Sequence, residues 1–434
     1  MKDEKTLSKE TRRRFLKKAG AAAVFSAGSF QMPLGLANSF DLSKKNQLKV
    51  GLVGCGGRGT GAAVQALNAD PDVVLHAMAD AFEDRLTSSL ALLKKAHGER
   101  IKVDKTRQFV GFDACQKLID SGVDVVLLAS PPGFRPDHLT AAIDAGKHVF
   151  YEKPVAVDAP GVRKVLEAAK KAKTKNLSIV SGFCFRYDLQ KQALYGKVLD
   201  GAIGEIKSIS STRNGGELWF KERQPEWTDM EYQLRNWYYQ NWFSGDFIVE
   251  QYVHSLDMIT WALGEKLPSS ATATGGRQWR SDQKYGNIYD HFAIEYDYAD
   301  GVKGYCFTRQ QRGGSTKNGV EIQGVLGNAY YEGSRHEITG KNPWKYEGEA
   351  NNMYQSEHDA LFKSIREGSG INDGELSANS TLMGIMGRMA AYTGQTISWD
   401  DAMNSTETLG PKAYDWDLKF NGPEIAVPGK TKFI

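Results

Sequence analysis

Lys153, His254 and Glu250 are the residues of this 434-residue chain whose types suit the oxidation of a carbinol. That reaction needs a base for the hydroxyl proton, a cation or donor for the developing alkoxide, and an acceptor held against the carbinol hydrogen. Lys153, in Glu152-Lys153-Pro154, can supply the cation. His254 can act as the base, and Glu250 can orient or charge-tune either one. At helical spacing, Glu250, His254 and Asp257 lie on one face. Taken alone, a lysine beside a glutamate is usually a surface ion pair of little worth, and a helical histidine is usually a packed core residue. Such residues act only if the fold brings them to a hydride acceptor.

The seat for that acceptor is written near the start of the chain. The β-branched run Leu48–Val53 leads into Gly54-Cys55-Gly56-Gly57-Arg58-Gly59, a helix start follows from Thr60, and the run Val73–Ala79 ends at Asp80. The spacing from Gly59 to Asp80 is close to the roughly 20 residues of a dinucleotide fingerprint. Gly54 permits the tight turn, Gly56 lets backbone approach a pyrophosphate, and Gly59 lets helix pack on strand. The helix N-terminus offers unpaired N–H groups to phosphate. Asp80 accepts from ribose hydroxyls and repels a 2′-phosphate, which favours NAD over NADP, although Arg85 weakens that preference.

The elements that must position these groups alternate at first. Val123–Ala129 reads as a buried strand ending in Ser130-Pro131-Pro132, and Arg135–Ala145 as a helix. His148–Tyr151 is a strand ending in Glu152-Lys153-Pro154, Gly161–Lys171 a helix, and Ser178–Phe183 a further strand. Alternation predicts a parallel sheet with ligands beyond the C-terminal strand ends, where Asp80, Ser130, Pro131, Glu152 and Lys153 fall. After Arg186 the pattern becomes β-rich, with strands at Ile206–Thr212, Ala271–Trp279, His291–Tyr298, Val302–Arg309 and Val320–Leu326. Asp300-Gly301 and Gly327-Asn328 read as hairpin turns, and helices are expected at Val253–Leu263 and Ser356–Glu367. The aromatic stretch Asn214–Asp246 reads as an excursion that lines the site or packs. The fold class is therefore an α/β Rossmann domain over 46–184, then an α+β domain over 185–434 with a largely antiparallel, open-faced sheet.

Composition agrees with a globular protein. Hydrophobic residues make up 41% and charged residues 25%, and the formal net charge of +3 points to neither nucleic acid nor an anionic membrane surface. Cys55, Cys115, Cys184 and Cys306 form no CxxC pair and no cluster with metal-ligand spacing, so they read as buried small hydrophobes, with no metal expected. Thr11-Arg12-Arg13-Arg14-Phe15-Leu16-Lys17 precedes a weakly apolar stretch that ends in Gly35-Leu36-Ala37. This reads as a twin-arginine signal over 1–37, cut after Ala37, that directs the protein to the periplasm or otherwise out of the cytoplasm. The stretch is a poor membrane span, and none is expected once the signal is removed. That route carries folded proteins, so the expectation is that NAD leaves already tightly held.

The order of Gly54–Gly59, Asp80, Ser130-Pro131 with His138, Glu152-Lys153-Pro154 and the Glu250/His254 pair resembles the glucose–fructose oxidoreductase/inositol dehydrogenase (Gfo/Idh/MocA) family. The resemblance covers nearly the whole chain after the signal. It implies NAD(P)-dependent oxidation of a sugar, sugar derivative or cyclitol. It places the nucleotide on Gly54, Cys55, Gly56, Gly57, Arg58, Gly59, Asp80, Ser130, Pro131, His138, Glu152 and Lys153. It assigns catalysis to Lys153, His254 and Glu250, the last standing where the family usually has Asp, and implies a cis bond before Pro154. Arg235-Asn236-Trp237, Ser244-Gly245-Asp246 and Met386-Gly387-Arg388 look like segments of an exported, saccharide-associated branch. Arg186, Trp237 and Asp257 are candidates for substrate contact, and a homo-oligomer on the open sheet face is implied. Three functions stand open: a dehydrogenase, a redox-neutral NAD-dependent glycosidase that transiently oxidises C3, and a non-catalytic sugar- or nucleotide-binding protein.

Overall fold

The computed structural model describes residues 47–420 and 422–434, so the arginine-led segment at 1–37 lies outside the described residues. Strands β1 (Leu48–Val53), β2 (Val73–Asp80), β3 (Gln108–Val110), β4 (Val125–Leu128), β5 (His148–Tyr151) and β6 (Ile179–Ser181) form one sheet, ordered β3-β2-β1-β4-β5-β6. Its pairings are all parallel. Parallel neighbours need crossovers, which α1 (Gly57–Ala69), α2 (Glu83–His97), α3 (Ala114–Asp120), α4 (Arg135–Asp144) and α5 (Ala159–Thr174) provide. The sheet is covered on both faces, and β2 is accordingly buried along nearly its whole length. Strand order reverses between β1 and β4, which opens a crevice beside the Gly54–Gly59 turn and Ser130-Pro131.

The chain then runs through α6 (Leu189–Leu199) into β7 (Ile206–Gly215). A short helix, α7 (Asp229–Arg235), sits inside the aromatic excursion, and α8 (Val253–Ala262) carries His254. The second sheet adds β8 (Ser270–Gly276), β9 (His291–Asp297), β10 (Lys303–Gln310), β11 (Lys317–Gly324), β12 (Gly327–Glu332), β13 (Arg335–Gly340), β14 (Trp344–Lys345) and β15 (Ile397–Ser398). Its order is β14-β13-β12-β11-β7-β10-β9-β8-β15, antiparallel except between β7 and β10. In β9, Phe292, Ile294 and Tyr296 alternate into the covered face. Phe307 on β10 faces out and is 44% exposed, so the far face is open.

Two helices close the architecture. Helix α9 (Met353–Glu367) returns to the first sheet and packs on α1. Helix α10 (Gly374–Thr393) lies against the covered face of the second sheet and against α5 and α8. The α10 sequence has no apolar stripe because the helix is buried on nearly every side, so its serines and glycines face neighbours rather than water. The four cysteines are buried and unpaired. No helix among the described residues is long and apolar enough to cross a membrane.

Two sequence expectations are corrected. Gly327-Asn328 is not a hairpin turn; the turn is Val325-Leu326, and Gly327 begins β12. Gly327 is required instead by close strand approach, because a Cβ there would lie 2.0 Å from the Thr339 carbonyl oxygen. Glu250, His254 and Asp257 do not share one continuous helix. A single turn, Phe247–Glu250, ends before Gln251-Tyr252, and α8 starts afresh at Val253. The break arises because the amides of both Gln251 and Tyr252 donate to the Phe247 carbonyl.

Gly387 of α10 marks a tight helix–sheet contact. A Cβ there would lie 2.6 Å from both Ile294 Cδ1 and the Tyr296 hydroxyl. Gly387→Ala is expected to lower the unfolding free energy by about 1–3 kcal/mol through overpacking. Urea denaturation of the two proteins checks this, and an unchanged midpoint would show that the layer is loosely packed.

Candidate functional site

The glycine turn is shaped to hold a dinucleotide. Gly54 has φ +91°, and a Cβ there would lie 2.5 Å from the Ser130 amide nitrogen. A Cβ on Gly59 would lie 1.8 Å from the Gly54 carbonyl oxygen, so α1 can start this close to β1 only with glycine. At Gly56 and Gly57 the space a Cβ would occupy is empty, which leaves the first turn of α1 open to a ligand. That turn has no side-chain cap, so its N–H groups are available to phosphate. The turn borders a cavity of about 610 Å³, also lined by Arg58, Asp80, Ser130, Pro131 and His138.

Asp80, at the end of β2, is fixed by two backbone donors. Its Oδ2 accepts from the Cys55 amide at 2.6 Å and its Oδ1 from the Phe82 amide at 2.9 Å. Burial pushes its carboxyl up, against the pull of those two amides. A carboxylate oxygen holding one such bond keeps capacity for a ribose hydroxyl. Cys55 contributes its amide, while its thiol is buried against the Ala79 carbonyl. Ser130 Oγ lies 3.1 Å from His138 Nδ1, and burial pushes His138 down to about 4, so the ring is neutral. Turn, helix end and acid together fit NAD.

The opposite wall comes from the aromatic excursion, through Trp219, Phe220, Lys221, Leu234, Arg235 and Trp237. Trp237, a candidate for substrate contact, therefore borders the nucleotide cavity. The excursion is tied down by Arg235, which bonds Asp84 at 3.2 Å and Glu231 at 2.8 Å and lies 4.0 Å over the Phe82 ring. Trp416 from the C-terminal segment braces Phe112 at 4.4 Å and Phe82 at 5.5 Å.

The catalytic candidates converge at the end of β5. Lys153 Nζ donates to the Glu250 carbonyl at 2.6 Å and to Glu250 Oε1 at 3.1 Å. The longer glutamate side chain thus reaches the lysine while its own backbone contacts the same ammonium. The Lys153–Pro154 bond is cis. His254 is 8% exposed, its ring 4.7 Å from Phe185. Burial, then the charges of Lys153, Arg213 and Lys191, pushes His254 well below the usual histidine range. It is therefore a neutral base beside a cation.

Glu152 meets the nucleotide turn from behind. Its Oε1 lies 2.6 Å from Arg58 Nε, and Arg58 also reaches within 3.9 Å of Glu357 on α9. Gly182 makes room, since a Cβ there would lie 2.6 Å from Glu152 Oε2. Glu357 is fully buried, and burial together with neighbouring Glu152 pushes its carboxyl well up. Arg58 thus joins the phosphate turn to the residue preceding Lys153.

Two sequence candidates are turned inward. Arg186 and Asp257 bond each other twice at 2.8 Å; Asp257 also accepts from Ser380, and Arg186 also bonds Glu265 at 2.6 Å. Asp257 has no exposed surface. Their polar groups are consumed within the fold, a correction to their expected substrate contact. Sequence reasoning passed over Glu357, Lys191 and Arg213. One signal was available for the last: Arg213 follows buried Ile209 and Ser211 in the inward-facing alternation of β7, where a charge is out of place.

Comparison with known proteins agrees with this fold. The family model described as "Oxidoreductase family, NAD-binding Rossmann fold" matches residues 48–179, and the one described as "GFO/IDH/MocA C-terminal domain" matches residues 192–330. Inositol 2-dehydrogenase of Rhizobium meliloti is 26% identical over 66% of this chain and 76% of its own. Aldose-aldose oxidoreductase from Caulobacter crescentus superposes with a TM-score of 0.65 at 18% identity, over 81% of this chain and 99% of that one. The WlbA dehydrogenase from Bordetella pertussis, solved with NADH and UDP-GlcNAcA, gives a TM-score of 0.63 at 18% identity, over 81% of this chain and 98% of that one.

Trp219 and Trp237 make the cavity visible to fluorescence. Asp80→Ala is expected to weaken NAD at least tenfold in a fluorescence titration, since hydrogen bonds to a charged group contribute about 1.5–3 kcal/mol. Unchanged affinity would place the ribose elsewhere.

Proposed function

The chain belongs to the Gfo/Idh/MocA oxidoreductase family, and from that premise we propose that it moves a hydride reversibly between bound NAD and a carbinol carbon of a sugar, sugar derivative or cyclitol. The observation that carries this is the clamp of Glu250 on Lys153 beside a neutral, buried His254. An ammonium has three donors; Glu250 takes two, which leaves the third for a substrate hydroxyl oxygen. His254 takes the hydroxyl proton as the alkoxide forms, and Lys153 holds the growing negative charge. NAD seated along the glycine turn supplies the hydride acceptor. In the reverse direction His254 returns the proton to the alkoxide. The inositol and aldose substrates in the relatives' names support this substrate class.

The twin-arginine pattern at 11–17 supports export of the folded protein to the periplasm. The wall formed by the excursion and its Arg235–Asp84 tie supports slow release of NAD over free exchange. An exported enzyme with a retained cofactor must re-oxidise it in place. It can reduce a second substrate, or it can oxidise a glycoside at C3, eliminate the aglycone across C1–C2, add water to the enone and return the hydride. The open face of the second sheet, with Phe307 exposed, supports a homo-oligomer.

The test is purification of the full chain from a host with the twin-arginine route, followed by candidate sugars and glycosides. Reduced nicotinamide accumulating on the protein supports net oxidation, and aglycone release without it supports the redox-neutral cycle. A protein that binds no nicotinamide nucleotide overturns both. Lys153→Ala is expected to keep NAD binding and lose at least about a hundredfold in turnover, within the range for a positioned proton-transfer or charge-stabilising group; an unchanged rate would misplace the site. The pH profile gives a separate check. His254 is pushed below 6.5, so it stays unprotonated where an ordinary histidine charges. The acid limb of kcat/KM for oxidation is expected below pH 6.5, and a limb above it would assign the base to another group.

A further inference from the structure

We infer that the substrate carries a carboxylate and that Arg213 binds it, which makes the substrate a uronic-acid-type sugar; this rests on the hydride-transfer reading above. Charge pairing among the partly buried cations of this region is uneven. Lys153 is paired with Glu250 at 3.1 Å, Lys191 with Asp188 at 2.8 Å, and Arg186 with Asp257 at 2.8 Å. Arg213 differs. Its guanidinium donates to the Gln251 carbonyl at 3.2 Å and to Gln251 Oε1 at 3.3 Å, and no carboxylate among the described residues lies within ion-pair distance. Those bonds are longer than the roughly 2.7–2.9 Å of charge-assisted pairs.

Placement supports the same conclusion. Arg213 stands on the covered face of β7, after buried Ile209 and Ser211, and is itself only half-buried. Gln251, its partner, lies between Glu250 and His254 in the chain. Through Gln251 the cation is tied to the turn that precedes the helix carrying His254. A guanidinium fork matches a carboxylate in two parallel bonds and a neutral hydroxyl in one. Lys191, buried between the Phe185 and Tyr331 rings at 4.8 and 4.3 Å, is a further cation whose charge bears on His254. Glu250 compensates Lys153 and Asp188 compensates Lys191, while Arg213 has no carboxylate partner of its own among the described residues. An anionic substrate supplies Arg213 with such a partner, and a neutral sugar does not.

The experiment is calorimetric titration of the NAD-loaded full chain with matched methyl glycosides and methyl uronides in the gluco, galacto and manno series. The members of each pair differ only in a hydroxymethyl group against a carboxylate. The uronide of at least one series is expected to bind tenfold or more tighter than its glycoside. Arg213→Gln is expected to remove most of that preference, and Arg213→Lys to keep part of it. Equal or tighter binding of the glycosides, no binding by any uronide, or a preference that survives Arg213→Gln would overturn the assignment. The wild-type comparison stands even if a variant does not fold. Uronide binding with neither reduced nicotinamide nor aglycone release would overturn the hydride-transfer reading instead, while turnover of neutral sugars without uronide preference would overturn this one alone.

Discussion

The ammonium of Lys153, gripped by the carbonyl and carboxylate of Glu250, is the contact on which the site depends. It joins the end of a parallel strand to a turn that precedes the helix carrying His254. Neither partner gains much from such a bond at an exposed surface, but both side chains here are largely buried, at 14% and 11% exposure. With water mostly excluded, the pair holds its geometry, and its position decides where a hydroxyl can approach. Removing either partner would leave a buried charge without compensation.

A second linkage runs behind it. Arg58 belongs to the glycine turn, Glu152 precedes Lys153, and Glu357 comes from α9 near the other end of the chain. The phosphate seat and the catalytic lysine are thus connected through one guanidinium. Burial and the neighbouring Glu152 push the carboxyl of Glu357 up, which favours its uncharged form beside Arg58. The cavity side of α1 stays open to phosphate.

The sequence was legible where the physics is local. Strand, glycine turn, helix and acid fall within Leu48–Asp80, and each step follows from backbone rules that act over a few residues. Parallel and antiparallel architecture followed from hydrophobic period in the same way. The failures have one cause in common, partners distant in sequence. Asp257 resembled a polar site residue because nothing in its neighbourhood announced Arg186 and Ser380 as its partners. Gly327 suggested a turn, yet the constraint comes from Thr339 on the neighbouring strand. Helix α10 left no periodic trace because burial on all sides removes the contrast that period depends on. Arg213 and Glu357 belong to no short motif, and only the fold places them near Lys153 and Arg58.

The central claim is that Lys153 and His254 act on one carbinol carbon whose hydrogen leaves as hydride. Its most direct test is a single-turnover measurement on cofactor-loaded protein, following the absorbance band of reduced nicotinamide with substrate protiated or deuterated at that carbon. The account predicts that the band appears and rises more slowly with deuterium, and that Lys153→Ala suppresses it in the presence of bound NAD. A product formed with no reduced nicotinamide at any time, and with no isotope effect, would contradict it.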